Sequence, residues 1–158
     1  MAKLSARMQR ALDSECADDL NEIILAKRKP DFDALRRQVA TEAGVDPIHR
    51  TRAIYALGRW GNDVVVDDIL RVLPELDESG LLTAIDSLGR LGSQKALQGI
   101  LVYADGPSPH VRKFVIHALG RFEVQDAKAK LREINEKDPD QQLRTLALKY
   151  IDQKPKKG

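Results

Sequence analysis

A ten-residue segment occurs three times in this chain, at a fixed spacing of 31 residues. The copies read RAIYALGRWG, TAIDSLGRLG and FVIHALGRFE, and they begin at Arg52, Thr83 and Phe114. A fixed period in this range is typical of repeat proteins, in which one supersecondary unit stacks on the next to bury its apolar face. This period constrains the fold more strongly than any other feature of the sequence.

Each copy predicts two helices. In the second copy, apolar residues recur at helical spacing over 64–73 and again over 80–91. Pro74 to Ser79 interrupts the pattern, and Gly92-Ser93 suits a helix end followed by an N-cap. Weaker copies on both sides extend the array. We therefore predict one domain over residues 1–158, with helix pairs near 3–28, 31–60, 63–91, 93–122 and 124–152 and a frayed tail at 153–158. Whether the first two helices are continuous stays open.

Two positions of the repeat predict how neighbouring pairs pack. Leu57, Leu88 and Leu119 share one phase and should be buried between pairs. Gly58, Gly89 and Gly120 stand near the ends of their helices, where glycine costs roughly 1 kcal/mol relative to alanine. Recurrence of an unfavourable residue at one phase indicates close approach of a neighbouring helix.

Composition excludes several classes of protein. Hydrophobic residues make up 42% of the chain and charged residues 32%, which favours a folded helical protein over a disordered one. The net charge of +2 is too small to require a nucleic-acid or membrane partner. The single cysteine, Cys16, permits no internal disulfide, favours a reducing compartment and is expected to be a small packed residue. No secretory leader or membrane-spanning run is evident, so we expect a cytoplasmic protein.

The repeat resembles the HEAT-like repeats of the phycobilisome-lyase type. His110-Val111-Arg112 through Ala118-Leu119-Gly120 fits their x-V-R-x-x-A-A-x-A-L-G pattern most closely. The resemblance implies an all-α fold, a right-handed α-α superhelix of about five helix pairs. It also implies that the second helix of each pair lines the concave surface, and that Arg50 and Arg112 brace neighbouring loops.

The same resemblance implies which side chains form the concave face. We predict a partner-binding surface composed of Arg28, Arg52, Tyr55, Arg59, Asp86, Arg90, Phe114, His117 and Arg121. Four of these recur at the repeat spacing and form what we call the arginine ladder: Arg28, Arg59, Arg90 and Arg121. One explanation is that each arginine complements the dipole at a helix C-terminus, which contributes about 0.3–1 kcal/mol. The other is a cationic rim for an acidic partner, since arginine and aromatic residues are enriched in interface hot spots.

No pattern of catalytic residues is evident. His110 and His117 share a helix face, but no cysteine cluster or carboxylate pattern accompanies them, and the His-Glu dipeptides of metal-dependent relatives are missing. Trp60 has apolar equivalents in the other copies, Leu91 and Phe122, and should be a core residue. We predict no catalytic site, no metal site and no cofactor.

The sequence therefore predicts a non-enzymatic scaffold that binds a protein partner, acidic in character, on its concave face. We expect a monomer that associates with neither membranes nor nucleic acid. Two alternatives stay open. One is a bilin lyase subunit or a relative that acts on phycobiliproteins, and the other is a nucleic-acid-binding module, which steep salt dependence of binding would reveal.

Overall fold

The computed structural model describes residues 4–40 and 44–152 of the chain. Within these ranges the protein has ten α-helices and no strand. The helices are α1 (Ala6–Asp13), α2 (Ala17–Ala26), α3 (Lys29–Val39), α4 (Pro47–Trp60), α5 (Val66–Val72), α6 (Glu78–Leu91), α7 (Gln94–Leu101), α8 (Pro109–Leu119), α9 (Gln125–Lys137) and α10 (Gln141–Asp152). The tail that we predicted to fray, 153–158, lies outside the described residues.

The helices form two layers. Helices α1, α3, α5, α7 and α9 make up the first-helix layer, and α2, α4, α6, α8 and α10 make up the second-helix layer. Neighbours in the second-helix layer, above all α4 with α6 and α6 with α8, contact each other more extensively than α3, α5 and α7 do. Helix α1 departs from the pattern, because it packs against both α2 and α4.

The first two helices are separate. Helix α1 ends at Asp13, and the hydroxyl of Ser14 accepts a hydrogen bond from the backbone N–H of Cys16 at 3.0 Å. Cys16 is the extended N-cap residue of α2, and its side chain is exposed. Our prediction of a packed cysteine was wrong, because this residue lies in the break between two helices and not on an apolar stripe.

Capping residues set the ends of the repeated helices. The carboxylate of Asp77 accepts from the N–H of Gly80 at 2.8 Å, and the hydroxyl of Ser93 accepts from that of Ala96 at 3.2 Å. Helix α6 ends at Gly92, which has a φ of 71°. Helix α5 is short because a 3-10 turn precedes it at 63–65 and another, which contains Pro74, follows at 73–75.

The repeated leucines and the tryptophan are in the core. Leu57, Leu88 and Leu119 have no exposed surface, which confirms that one phase of the repeat faces the neighbouring pairs. Trp60 is also buried and packs on Phe32 with ring centroids 5.3 Å apart, as the apolar equivalents of this position predicted.

The repeated glycines make room for the next helix of the second-helix layer. A methyl group added at Gly58 would lie 2.5 Å from Cβ and 2.8 Å from Cα of Ser87. One added at Gly89 would lie 2.8 Å from Cβ and 3.0 Å from Cα of Ala118. Ser87 and Ala118, which precede the buried leucines of their copies, thus pack on the glycine of the preceding copy. This confirms the close approach that the glycine spacing predicted.

Two arginines link the loops at the other end of the helices. The buried guanidinium of Arg112 pairs with Asp138, with Nε 2.9 Å from Oδ2, and donates to the carbonyls of Gly106 and Pro107. Arg50 donates to the carbonyl of Ala40 at 3.3 Å, and its Nη1 lies 3.8 Å from a carboxylate oxygen of Glu75. The family resemblance had implied this bracing role for both residues.

Candidate protein-interaction surface

Three members of the arginine ladder lie along one groove. Helices α4 and α6 end side by side, and α8 ends next to them in a turn, so the residues at these ends come together. The open groove has a volume of about 480 Å³ and is lined by Gly58, Arg59, Gly61, Gly89, Arg90, Gly92 and Arg121. The repeat spacing therefore places Arg59, Arg90 and Arg121 on one surface.

The fourth member of the ladder does not line this groove. Helix α2 ends at Ala26, and Lys27 takes a left-handed conformation with a φ of 46°. Arg28 is consequently the N-cap residue of α3, and its Nε lies 3.5 Å from a carboxylate oxygen of Asp31. The prediction that Arg28 continues the ladder was wrong, because the left-handed residue Lys27 comes three residues earlier in the repeat than Gly61 and Gly92 do.

Asp86 pairs with two of the three arginines that line the groove. Its two carboxylate oxygens lie 2.9 Å from Nε of Arg90 and 2.8 Å from Nη1 of Arg121. Burial raises the pKa of Asp86, but the hydrogen bonds and positive charges of these two arginines outweigh burial and hold the pKa below its ordinary value. Asp86 thus carries a negative charge at neutral pH and occupies both neighbouring arginines.

The glycine of the second copy opens the path for one of these pairs. Nη1 of Arg121 lies 3.3 Å from the position that a Cβ of Gly89 would take, and it donates to the backbone carbonyl of Asp86 at 3.2 Å. Arg121 therefore crosses α6 where α6 has no side chain. Helix α8 ends at Leu119, so Arg121 lies in the following turn and not in the helix that we predicted up to residue 122.

Arg59 has different surroundings from the other two arginines. Its guanidinium carbon lies 3.6 Å from the centroid of the Tyr55 ring, one helical turn earlier on α4. Its Nη1 is buried and has no hydrogen-bond partner among the residues that the structure describes. Within the same ranges, no carboxylate lies within ion-pair distance of Arg59, whereas Arg90 and Arg121 share Asp86.

Comparison with known proteins agrees with this architecture. A family model described as HEAT repeats matches residues 75–151. The complex of CpcE and CpcF of phycocyanin lyase from Nostoc sp. PCC7120 is similar in structure, with a TM-score of 0.65 and 22% sequence identity. The similarity covers 98% of this chain and 68% of that chain. This chain therefore has the fold of a HEAT-like helical solenoid.

Two further observations concern this HEAT-like chain. No curated protein matches its sequence. None of the helices in the described ranges is both long enough and apolar enough to cross a lipid bilayer.

Three other predicted site residues of the HEAT-like surface take part in packing. Nη1 of Arg52 donates to the backbone carbonyl of Leu12 at 2.5 Å and so holds the end of α1 against α4. Phe114 and Tyr55 are half-buried and pack against the core, with part of each ring at the surface. Arg52 is thus engaged within the chain, whereas the two aromatic rings contribute to both the core and the surface.

The two histidines that share a helix face have different neighbours. Nδ1 of His117 lies 2.6 Å from the hydroxyl oxygen of Tyr150 on α10, and His110 lies 3.3 Å from a carboxylate oxygen of Glu78. Burial lowers the pKa of His117, and the positive charges of Lys113 and Arg121 lower it further against an opposing contribution from Asp86. No group of three His, Cys, Asp or Glu residues in the described ranges is arranged to hold a metal ion.

Sequence reasoning missed two residues that pack on the repeated glycines. Ser87 replaces the alanine of the other copies, and its hydroxyl donates to the carbonyl of Ile54 at 3.1 Å. The ring of Tyr150 covers Gly120, where an added methyl group would lie 2.1 Å from its Cδ1. The substitution at Ser87 was visible when the copies were aligned, but no sequence signal marked Tyr150.

Proposed function

We propose that this HEAT-like chain is a non-enzymatic interaction module that holds a partner protein on the exposed surface of its second-helix layer. The observation that carries the proposal is Arg59, which lines the open groove, lies 3.6 Å from the centroid of the Tyr55 ring and forms no ion pair among the described residues. Arginine and tyrosine are the residues most often found at the energetic centre of protein interfaces. A stacked guanidinium also loses little conformational entropy when it binds a partner.

Packing of the layers supports the choice of this face. Helices of the second-helix layer contact each other more extensively than those of the first-helix layer, because glycines remove the side chains between them. Closer spacing on one side of a stack curves the stack toward that side. The groove and the half-buried ring of Phe114 then lie on the inner side of the curve, where a partner is surrounded on more than one side.

Site-specific photo-crosslinking tests this proposal. A photoreactive phenylalanine analogue replaces Tyr55 in one variant and Val102 in a control, because Val102 is 77% exposed at the end of α7 in the first-helix layer. In cells of the native host, we expect one crosslinked partner from position 55 and none from position 102. Equal crosslinking from both positions, or crosslinking from position 102 alone, would contradict the assigned face.

The solved structure favours a second candidate, a role as one subunit of a lyase-like complex. The similarity covers nearly all of this chain, and the similar structure is a complex of two named subunits of phycocyanin lyase. In this role the chain would act with a second protein on a phycobiliprotein. Co-expression with phycocyanin subunits and a bilin, with and without the chain, tests it. Visible absorption that travels with phycocyanin only when the chain is present supports this role, and no difference between the two cultures excludes it for phycocyanin.

A further inference from the structure

We propose that Arg59 and Tyr55 form a carboxylate-binding site, which an acidic segment of the protein partner occupies, and that Asp86 limits the affinity of this site. The inference rests on the proposed function and makes it more specific. It assigns binding to one arginine instead of the whole arginine ladder. Arg59 has no ion-pair partner among the described residues, whereas Arg90 and Arg121 both pair with Asp86.

The state of Arg59 is that of a donor without an acceptor. Arg59 lines the groove and forms no ion pair among the described residues. Its Nη1 is buried, so an incoming group meets the other nitrogens of the guanidinium. Stacking on the Tyr55 ring at 3.6 Å fixes the plane of the guanidinium. A carboxylate that approaches in this plane accepts two parallel hydrogen bonds, which are among the strongest that side chains form. A ligand that suits this guanidinium edge therefore has the chemistry of a carboxylate.

The state of the other two arginines is that of occupied donors. Arg90 and Arg121 both pair with Asp86 and so have donors committed within the chain. Their charges nevertheless act at the groove, since three guanidinium groups and one carboxylate leave a positive excess. Asp86 reduces this excess and repels an incoming carboxylate. Asp86 therefore weakens binding of an acidic segment without touching it.

The size of the groove favours a short acidic segment over a nucleic acid. A volume of about 480 Å³ is in the range of pockets that enclose a small ligand. The groove spans the ends of only three helices, and the axes of neighbouring packed helices lie roughly 8–10 Å apart. Binding along a duplex needs a longer row of phosphate contacts, and most of the cations here are already paired.

Titration of the folded chain with a hexaglutamate peptide, followed by NMR of the arginine side-chain N–H groups, tests the site. We expect the largest shift at Arg59. Arg59→Gln should weaken peptide binding at least about tenfold, because it removes the charge-assisted hydrogen bonds to the peptide. Arg59→Lys should bind more weakly than the wild type because lysine lacks the planar fork. Asp86→Asn should strengthen binding severalfold.

Arg71→Gln is the matched control, since Arg71 is an exposed arginine of α5, in the first-helix layer. It should bind the peptide as the wild type does. Equal weakening by Arg71→Gln and Arg59→Gln would overturn the site in favour of a diffuse charge effect, as would unchanged affinity in Arg59→Gln. Weaker binding in Asp86→Asn would overturn the role assigned to Asp86. Circular dichroism confirms that each variant is folded.

A parallel titration with inorganic phosphate distinguishes an acidic segment from a small free anion. Phosphate should shift Arg59 more weakly than the peptide does, and an equal or stronger effect of phosphate would overturn the assignment. Crosslinking from position 55 is repeated in an Arg59→Gln background. A crosslinked partner that Arg59→Gln still binds would overturn the anchor while leaving the proposed function intact. Peptide binding at Arg59 without any crosslinked partner would overturn the proposed function while leaving the carboxylate-binding site intact.

Discussion

The contact between α6 and α8 and the contact between α8 and α10 use the same repeat position in different ways. In the first, Gly89 meets Cα and Cβ of Ala118, so two helix backbones approach each other. In the second, Gly120 meets the ring of Tyr150, whose hydroxyl lies 2.6 Å from Nδ1 of His117. A glycine at one phase of the repeat therefore serves a backbone contact in the middle of the array and an aromatic contact at its last pair.

The difference indicates how much each contact can adapt. A backbone moves only with its helix, and the helices in the middle are held on both sides. A tyrosine ring on the last helix can rotate, at the cost of its contact with the histidine. We therefore expect changes in the middle of the array to destabilise the protein more than equivalent changes at the last pair.

Truncation of a core leucine should give the largest effect. Leu88 in α6 has no exposed surface and lies between two neighbouring pairs, so Leu88→Ala should reduce the free energy of unfolding by about 2–5 kcal/mol. Leu143→Ala in α10 should cost less, since its side chain is near the edge of the array and the space can be filled by neighbours. Urea unfolding of both variants measures the comparison, and equal losses would refute it.

A methyl group at the middle glycine should give the second effect. Gly89→Ala places Cβ 2.8 Å from Cβ and 3.0 Å from Cα of Ala118, so α6 and α8 must separate. We expect a loss of about 1–3 kcal/mol, reduced by the better helix propensity of alanine. Adding Ala118→Gly should restore part of the loss, because it removes one of the two close contacts. Unchanged stability in Gly89→Ala would show that the middle contact is as adaptable as the last one.

The same change at the last pair should have a smaller effect. Gly120→Ala requires the Tyr150 ring to move, but the backbone at Gly120 is already helical, with a φ of −62°. The expected loss is the contact of the ring with His117, about 0.5–1.5 kcal/mol, offset by a gain in helix propensity of up to about 1 kcal/mol. Thermal unfolding beside Gly89→Ala checks this order, and a larger loss at Gly120 would reverse our comparison.

The pH dependence of stability should give the smallest effect and should be specific to the last pair. The pKa of His117 in the folded chain is below its ordinary value of 6.5. As the pH falls through 6.5, this histidine takes up a proton in the unfolded chain but not in the folded one, so the free energy of unfolding decreases. The decrease ends below the folded pKa.

The matched variant for this effect is His117→Gln, which keeps a polar side chain but does not titrate. Unfolding curves of both proteins between pH 5 and pH 8 isolate the contribution of His117, since the other two histidines are present in both proteins. The difference in stability between wild type and His117→Gln should grow with pH. A constant difference would show that neither burial nor the nearby positive charges lower the pKa of the histidine.

Periodicity predicted those features that depend on one residue type at one phase. The burial of Leu57, Leu88 and Leu119 and the close approach at Gly58 and Gly89 follow from helix geometry alone, because every copy repeats the same environment. The all-α solenoid follows in turn from stacking these units. The cytoplasmic location, the monomeric state and the binding surface itself stay predictions.

Features that depend on how far a side chain reaches were not predictable. Asp86 pairs with Arg121 across two helices because Gly89 leaves a path, and neither the spacing of 31 residues nor the charge pattern specifies that contact. Arg28 fell outside the ladder because a single left-handed residue, Lys27, starts the next helix early. Conformations of one residue at a helix end are decided by local caps, which alignment of copies does not reveal.

The arginine braces are unevenly distributed, and this has a mechanical consequence. Arg50 ties the end of α3 to the turn after α5, and Arg112 ties the loop after α7 to that after α9, whereas the equivalent residue of the middle copy is Leu81. The arginines therefore join the loops into two separate groups. Between these groups, the array is held together mainly by the contact between α6 and α8. Under bending or tension, we expect the loops between these two groups to separate first, while the contact between α6 and α8 is retained.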